Sequence, residues 1–129
     1  MVYEQLNGYI RQPAFIQGLT SRLSIHEAIK SQLYVLGYRL GYLPILEAST
    51  DKIGQKRHDC VFVSGETVVC AFEIDYSIKL KSIQKLNTLG AGVEKIIISY
   101  GRNDAISKAK FRHAAEAGFK HYVITSRFK

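Results

Sequence analysis

Three acidic residues stand in two stretches that otherwise have the composition of β-strands. Asp59 lies within residues 57–63, and Glu73 and Asp75 close residues 67–75. A carboxylate in a half-buried sheet is costly unless a polar or charged partner compensates it. Three carboxylates on one face of a sheet would suit a hard cation such as Mg²⁺, which is bound through oxygen atoms. The sequence therefore predicts a divalent-metal site, whose chemistry would include phosphodiester cleavage.

The elements that must position these acids are two strands joined by Ser64-Gly65-Glu66. Both strands are rich in β-branched and aromatic residues, which predicts an antiparallel hairpin. With a three-residue loop, Asp59 opposes Ala71 and the three acids share one face. The other face then holds Cys60, Phe62, Val68, Cys70 and Phe72. A two-residue turn would oppose Asp59 to Phe72 and move Glu73 to the other face, so the metal hypothesis requires the longer loop.

A helix that begins at Ser24 precedes the hairpin. Its apolar residues recur at steps of three and four and so share one face: Ile25, Ile29, Leu33, Leu36 and Leu40. Gly41 predicts its end. Ser24 and Glu27 have the spacing of a capping box, in which the glutamate carboxylate binds the backbone amide of the serine. This interpretation competes with a role for Glu27 at the metal.

A second helix follows the hairpin, with Ser77 as its predicted N-cap. Its apolar positions face inward and its lysines project elsewhere: Ile78, Ile83, Leu86 and Leu89 on one side, Lys79, Lys81 and Lys85 on the other. Asp75 directly precedes this helix, so its carboxylate could be the anion that stabilises the helix N-terminus. Asp75 therefore has a structural interpretation beside the chemical one.

The remaining segments complete an α/β pattern. Residues 43–48 predict a first strand, and residues 93–100, apolar on both faces, predict a central strand covered on both sides. Residues 105–117 predict a third helix and residues 120–125 a last strand. This order predicts a mixed sheet flanked by helices. Residues 1–23 have no sustained period, and we expect an arm or a short element packed on the domain.

The order of these features resembles that of the PD-(D/E)XK nuclease superfamily, which includes restriction enzymes and Holliday-junction resolvases. The likeness covers nearly the whole chain. It rests on a first helix with Glu27, a hairpin with Asp59 and then Glu73-Ile74-Asp75, a lysine-bearing helix and a further strand. In that superfamily the hairpin carries Asp and then Glu-x-Lys, so Asp59 and Glu73 match the two acidic positions.

The motif differs from the superfamily at two places. The lysine position holds Asp75, and His58 stands at the proline position. Some restriction enzymes of the superfamily carry an acid or an amide at that lysine position, and others move the lysine to the next helix, where Lys79, Lys81 and Lys85 stand. The resemblance implies a restriction-endonuclease-like αβββαβ core, with an additional C-terminal helix and strand.

The resemblance also implies roles for single residues. Mg²⁺, which Mn²⁺ would replace, would be held by Asp59, Glu73 and the carbonyl of Ile74. The nucleophile would be oriented by Asp75, Lys79 or Lys81, and the outer part of the site would be completed by Glu27. DNA would be contacted by Lys52, Lys56, Arg57 and Lys85.

Composition narrows the class of protein. Lysine and arginine number 18 against 11 acidic residues, which leaves a net charge of +7. On one domain of 129 residues, this charge favours a polyanionic partner such as DNA, although it could serve solubility alone. No apolar run reaches the length of a membrane span and no signal peptide is evident, so we expect a cytoplasmic protein. Cys60 and Cys70 should be buried free thiols.

Two functions from different classes fit these observations. The first is a Mg²⁺-dependent DNA endonuclease of the restriction, resolvase or mobile-element type. Such an enzyme could be a homodimer, since two sites cut two strands most simply. The second is a protein that keeps the nuclease-like fold without activity and serves in nucleic-acid binding or assembly. Asp75 at the lysine position motivates this alternative.

Overall fold

A computed structural model describes residues 1–8, 10, 22–49, 57–101, 112 and 118–124 of the chain. The helices and strands within them are α1 Val2–Gln5, α2 Arg22–Arg39, β1 Leu43–Ser49, β2 Arg57–Ser64, β3 Thr67–Asp75, α3 Leu80–Asn87, β4 Glu94–Ser99 and β5 Lys120–Val123, with a 3-10 turn at Leu6–Gly8. The predicted helix at residues 105–117 lies outside the described residues.

The strands of the described residues form one mixed sheet in the order β1-β2-β3-β4-β5. The first three strands are antiparallel neighbours, and β4 and β5 each run parallel to the strand before them. The predicted α/β class with a mixed sheet is therefore confirmed. No helix in the described ranges has the length and apolarity needed to cross a membrane.

Two apolar cores lie on opposite faces of the sheet. The α2-side core packs Ile25, Ile29, Leu33 and Leu36 against Cys60, Phe62, Cys70 and Phe72. The α3-side core packs Ile78, Ile83 and Leu86 against Val61, Ala71 and Ile97. These are the inward faces that the spacing of apolar residues predicts for both helices. The β4 strand is buried along its whole length, as predicted for a strand covered on both sides.

The end of α2 follows the prediction and its beginning does not. Gly41 has a φ of 86°, and hydrogen bonds from Gly41 to Tyr38 and from Tyr42 to Gly37 close the helix as a Schellman motif. The helix already runs at Arg22, so Ser24 lies inside it and not at its N-cap. The capping-box interpretation of Glu27 is therefore wrong.

The hairpin is joined by a two-residue turn, Gly65-Glu66, and the expected three-residue loop is wrong. Beside the turn Val63 pairs with Val68, whereas the next residue of β2, Phe62, pairs with Cys70. One residue of β3 is left over between these pairs and forms a β-bulge. The bulge shifts the register by one residue, which offsets the change of faces that the shorter turn alone would bring.

The bulge decides which side chains lie together. Cys60 pairs with Phe72, not with Cys70 as expected, yet both cysteines lie in the α2-side core as predicted. Both are buried free thiols. Val68, which was expected on that same face, packs against the α3-side core. On the side of the bulge away from the turn, the residues of β2 and β3 therefore share faces as predicted. Between the bulge and the turn, the faces are reversed.

The alternation of side chains between the two faces is broken in β1 at the end of the strand away from this turn. Leu46, opposite Cys60, packs against the α2-side core, whereas Ala48, opposite His58, belongs to the α3-side core. Regular alternation would place residues two apart on the same face. Between them, Glu47 has a φ of 53°, in the left-handed region that residues other than glycine seldom adopt. His58, the pairing partner of Ala48, contacts Glu73, which Lys85 of α3 also contacts.

The beginning of the chain packs on the domain. Val2, Leu6 and Ile10 are buried in the α2-side core. The backbone amides of Val2 and Tyr3 donate to the carboxylate of Glu94 at 3.0 Å and 2.9 Å. This described part of the arm therefore covers the core, as the structural interpretation of residues 1–23 predicts.

Candidate active site

An open cavity of about 550 Å³ lies where β2 and β3 meet the beginning of α3. Its walls carry the three predicted acids together with one histidine and three lysines: Asp59, Glu73, Asp75, His26, Lys79, Lys81 and Lys85. Tyr76 and Tyr100 line it as well. The fold therefore brings Asp59 to the same cavity as the acids of β3.

Asp59 is held by contacts from both neighbouring elements. Its Oδ2 accepts a hydrogen bond of 2.7 Å from the backbone amide of Ile74, and His26 Nε2 of α2 lies 3.5 Å from the same oxygen. The last backbone pair of the two strands toward this end is Cys60 with Phe72. The side chain of Asp59 therefore continues the link between β2 and β3. Ile74, predicted as a carbonyl ligand, contacts Asp59 through its amide.

Glu73 is contacted from β2 and from α3. Its Oε2 lies 2.8 Å from His58 Nδ1, and its Oε1 lies 3.6 Å from Lys85 Nζ. Glu73 is 1% exposed and His58 is fully buried, so this contact is shielded from water. A buried carboxylate between an imidazole and an ammonium group is held in one position.

The surroundings drive the pKa values of the two motif acids apart. Burial acts to raise the pKa of Asp59, but the hydrogen bonds from His26 and the Ile74 amide outweigh it, and the pKa lies below its usual value. Burial raises the pKa of Glu73, and the charge of Asp59 adds to the effect although His58 opposes it. Acid groups in one cleft with opposite pKa shifts are typical of functional sites.

Asp75 begins α3. Its Oδ2 accepts a hydrogen bond of 3.3 Å from the backbone amide of Lys79, the N-cap residue of the helix. Burial raises the pKa of Asp75, although hydrogen bonds from Ser82 and from the Lys79 amide oppose the rise. Asp75 therefore has the structural contact with the start of α3 that its position in the sequence suggests, as a hydrogen-bond acceptor. The prediction of Ser77 as the N-cap is wrong, because α3 starts two residues later.

The predicted basic residues separate into two groups. Lys85 is half-buried and contacts Glu73, whereas Lys79 and Lys81 line the cavity with exposed side chains. Arg57 is exposed at the first position of β2. The remaining predicted DNA contacts, Lys52 and Lys56, lie outside the described residues.

Glu27 stands beside the cavity and does not line it. Its carboxylate is 54% exposed, and its Oε2 lies 2.9 Å from Lys30 Nζ and 3.3 Å from His26 Nδ1. Lys30 Nζ is also 3.4 Å from Glu47 Oε2. Sequence reasoning assigned no role to His26 or Lys30. The four-residue spacing of His26 and Lys30 on a helix that also carries Glu27 is the signal that could have indicated them.

Within the described part of the chain, no three His, Cys, Asp or Glu side chains converge as a ready-made metal cluster. No protein-family model matches this chain, and comparisons with curated proteins and with solved structures gave no match. The chemistry of the cavity therefore rests on the geometry of its own residues.

Proposed function

We propose that this chain is a metal-dependent endonuclease that hydrolyses phosphodiester bonds of DNA, with a PD-(D/E)XK-type site. One observation carries the proposal: Asp59 and Glu73, with opposite pKa shifts, line one open cavity whose rim holds Lys79, Lys81 and Lys85. Acids at the base of such a cavity suit a cation, and lysines at its edge suit the phosphates of a nucleic acid.

The order of elements supports the same proposal. Helix α2, the antiparallel strands β1, β2 and β3, helix α3 and the parallel strand β4 follow each other in the αβββαβ order that the resemblance implies. Asp59 stands on the second strand of this set and Glu73 on the third, and both lie at the end of the sheet that α3 adjoins.

The donor set fits Mg²⁺. This ion is usually held by one or two carboxylates and keeps several of its waters, so a pair of acids is sufficient where no larger cluster exists among the described residues. Asp59 and Glu73 would hold the ion. Burial raises the pKa of Glu73 and the charge of Asp59 adds to the rise, and a cation bound between the two carboxylates would offset that charge. When bound, the ion would polarise the phosphate and activate water.

Lys85 is the side chain best placed to take over the function of the motif lysine. Its ammonium group is 3.6 Å from Glu73, on the helix that follows the motif. Asp75 itself binds the N-terminus of α3, so its carboxylate is occupied by a structural contact. In this proposal Lys85 stabilises negative charge at the reacting phosphate. Lys79 and Lys81 bind neighbouring phosphates, and Glu27 stays outside the cavity.

The test is cleavage of linear, nicked and branched DNA in Mg²⁺, in Mn²⁺ and in EDTA. We expect metal-dependent cleavage of at least one substrate. Binding of DNA without cleavage in either metal would favour the alternative, an inactive nuclease-like protein in nucleic-acid binding or assembly. Sedimentation of the protein with the DNA substrate that it cleaves, in the absence of metal, measures how many copies bind. Two copies are expected for a homodimer, because cutting both strands at one place is simplest with two sites.

A further inference from the structure

His26 links helix α2 to the acids of the cavity. Its two ring nitrogens face two different carboxylates: Nε2 is 3.5 Å from Asp59 Oδ2, and Nδ1 is 3.3 Å from Glu27 Oε2. The His26 side chain is 22% exposed and lines the cavity. An imidazole between two acids has its orientation fixed at both nitrogens.

The contacts continue outward from His26. Glu27 Oε2 is 2.9 Å from Lys30 Nζ, and Lys30 in turn is 3.4 Å from Glu47 Oε2 of β1. Lys30 is 9% exposed, so its ammonium group is confined between these two glutamates. Charges of alternating sign therefore connect the edge strand of the sheet, through α2, to Asp59.

Both described contacts of the Asp59 carboxylate fall on one of its oxygens. Oδ2 receives the Ile74 amide at 2.7 Å and faces His26 at 3.5 Å. This arrangement restrains the side chain of Asp59 from two sides. Groups that hydrogen-bond the ligands of a metal orient those ligands, and their removal typically lowers metal affinity about 10–100-fold.

We infer that His26 is a positioning residue that holds Asp59 for the metal, and that Glu27 acts on the site through His26 and not as a ligand. The inference rests on the proposed function. Glu27 would then act on the site indirectly, and His26, which has no counterpart in the motif, would orient Asp59.

The test measures Mn²⁺ affinity from the electron paramagnetic resonance signal of free Mn²⁺, without DNA. We expect His26→Ala to raise the dissociation constant about 10–100-fold, with an unchanged unfolding midpoint. His26→Gln keeps a donor for Asp59 and should recover most of the affinity. Ser31→Ala, on an exposed side chain one turn along α2, is the matched control and should bind as the wild type does.

The possible results separate the two levels of the argument. If Asp59→Asn loses Mn²⁺ binding while a folded His26→Ala binds as tightly as the wild type, the inference fails and the proposed function stands. If the wild-type protein binds no Mn²⁺, both fail. Should His26→Ala not fold, Glu27→Ala at its exposed position decides: a weaker affinity supports the inference, and an unchanged affinity overturns it.

Discussion

Single side chains decide what the cavity can hold. Glu73 and Asp75 are almost fully buried, and burial raises the pKa of each. A folded protein pays for such groups in stability unless they are neutralised or compensated. Glu73 has His58 and Lys85 as partners, and Asp75 has the N-terminus of α3. In the proposed function, a bound cation is the reason why two such costly carboxylates lie in one cavity.

The raised pKa of Asp75 leads to a prediction for stability. Because the folded chain prefers the neutral acid, this contribution to stability is complete below the unfolded pKa, near 3.9, and is lost as the pH rises through the folded pKa. Asp75→Asn keeps an oxygen for the Lys79 amide and removes this loss. It should raise the free energy of unfolding at pH 7, as measured by urea unfolding.

The matched control is Asp75→Ala, which also removes the acceptor. It should lower the free energy of unfolding by about 1 kcal/mol relative to Asp75→Asn, the usual value of a helix cap. The free energy of unfolding should depend on pH in the same way in both variants between about pH 4 and pH 7, because both lack the carboxyl group of Asp75. Equal free energies of unfolding for the two variants would contradict the account of Asp75 as a buried acceptor.

Two of the site residues could be predicted from the sequence because they break a pattern. Asp59 and Glu73 are acids in strands that are otherwise apolar, and the structure places both in one cavity. His26 and Lys30 break no pattern, since polar residues are ordinary on a helix surface. Their contacts with Asp59 and Glu47 depend on how α2 lies on the sheet, which local sequence does not encode.

Helix α2 approaches the hairpin closely at Gly37. A methyl group there would lie 2.8 Å from the ring of Phe62 and 2.9 Å from Cβ of Pro44. Phe62 is fully buried and has no room to move. We predict that Gly37→Ala lowers the free energy of unfolding by about 1–3 kcal/mol, the usual cost of overpacking, although alanine favours a helix. Thermal or urea unfolding measures it.

Gly90 supplies the control for that substitution. It lies in the connection after α3, and an added methyl group would contact nothing within 4 Å. Gly90→Ala should leave the free energy of unfolding unchanged or raise it by up to about 1 kcal/mol. A Gly37→Ala variant as stable as Gly90→Ala would mean that α2 is not packed as closely as described.

Helix α3 carries Lys81 and Lys85, and their different positions on the helix predict different roles. Lys85 lies one turn beyond Lys81, and it is Lys85 that contacts Glu73. We predict that Lys85→Ala lowers kcat about 100-fold because a charge at the reacting phosphate is lost. Lys81→Ala should chiefly raise KM, and more so at high salt, because it removes a phosphate contact. Steady-state cleavage kinetics measure both.

Equal effects of the two substitutions on kcat would contradict this assignment. A larger loss of kcat in Lys81→Ala than in Lys85→Ala would restore Lys81 to the catalytic role that the resemblance gives it. Lys81→Ala should fold normally, because Lys81 is exposed. Lys85→Ala removes a partner of the buried Glu73, so its circular dichroism spectrum and unfolding midpoint are measured beside its kinetics.

The strands show where local sequence stops being informative. Both hairpin strands were predictable, because β-branched and aromatic residues fill them. The register was not, since it depends on a bulge that has no local signature here, as Val63 pairs with Val68 and Phe62 with Cys70. The left-handed conformation of Glu47 and the contact between His58 and Glu73 likewise have no local signature in the sequence.

The molecule as a whole follows from the order of its periodic segments. Steps of three and four residues indicated α2, and continuous apolarity indicated the buried β4. The alternation of such segments is enough to predict an α/β sheet protein. The net charge of +7 is the basis for proposing a polyanionic partner. The pattern of segments is thus enough for the class of fold, whereas the cavity itself needs tertiary structure.

The most direct test of the central claim compares DNA cleavage by the wild-type protein and by Glu73→Gln at saturating Mg²⁺. The glutamine keeps an oxygen near His58 and removes the negative charge at the cavity. We predict a loss of about 10³-fold or more in cleavage rate, about 4 kcal/mol of transition-state stabilisation, with an unchanged circular dichroism spectrum. A folded Glu73→Gln protein that cleaves at the wild-type rate would contradict the account.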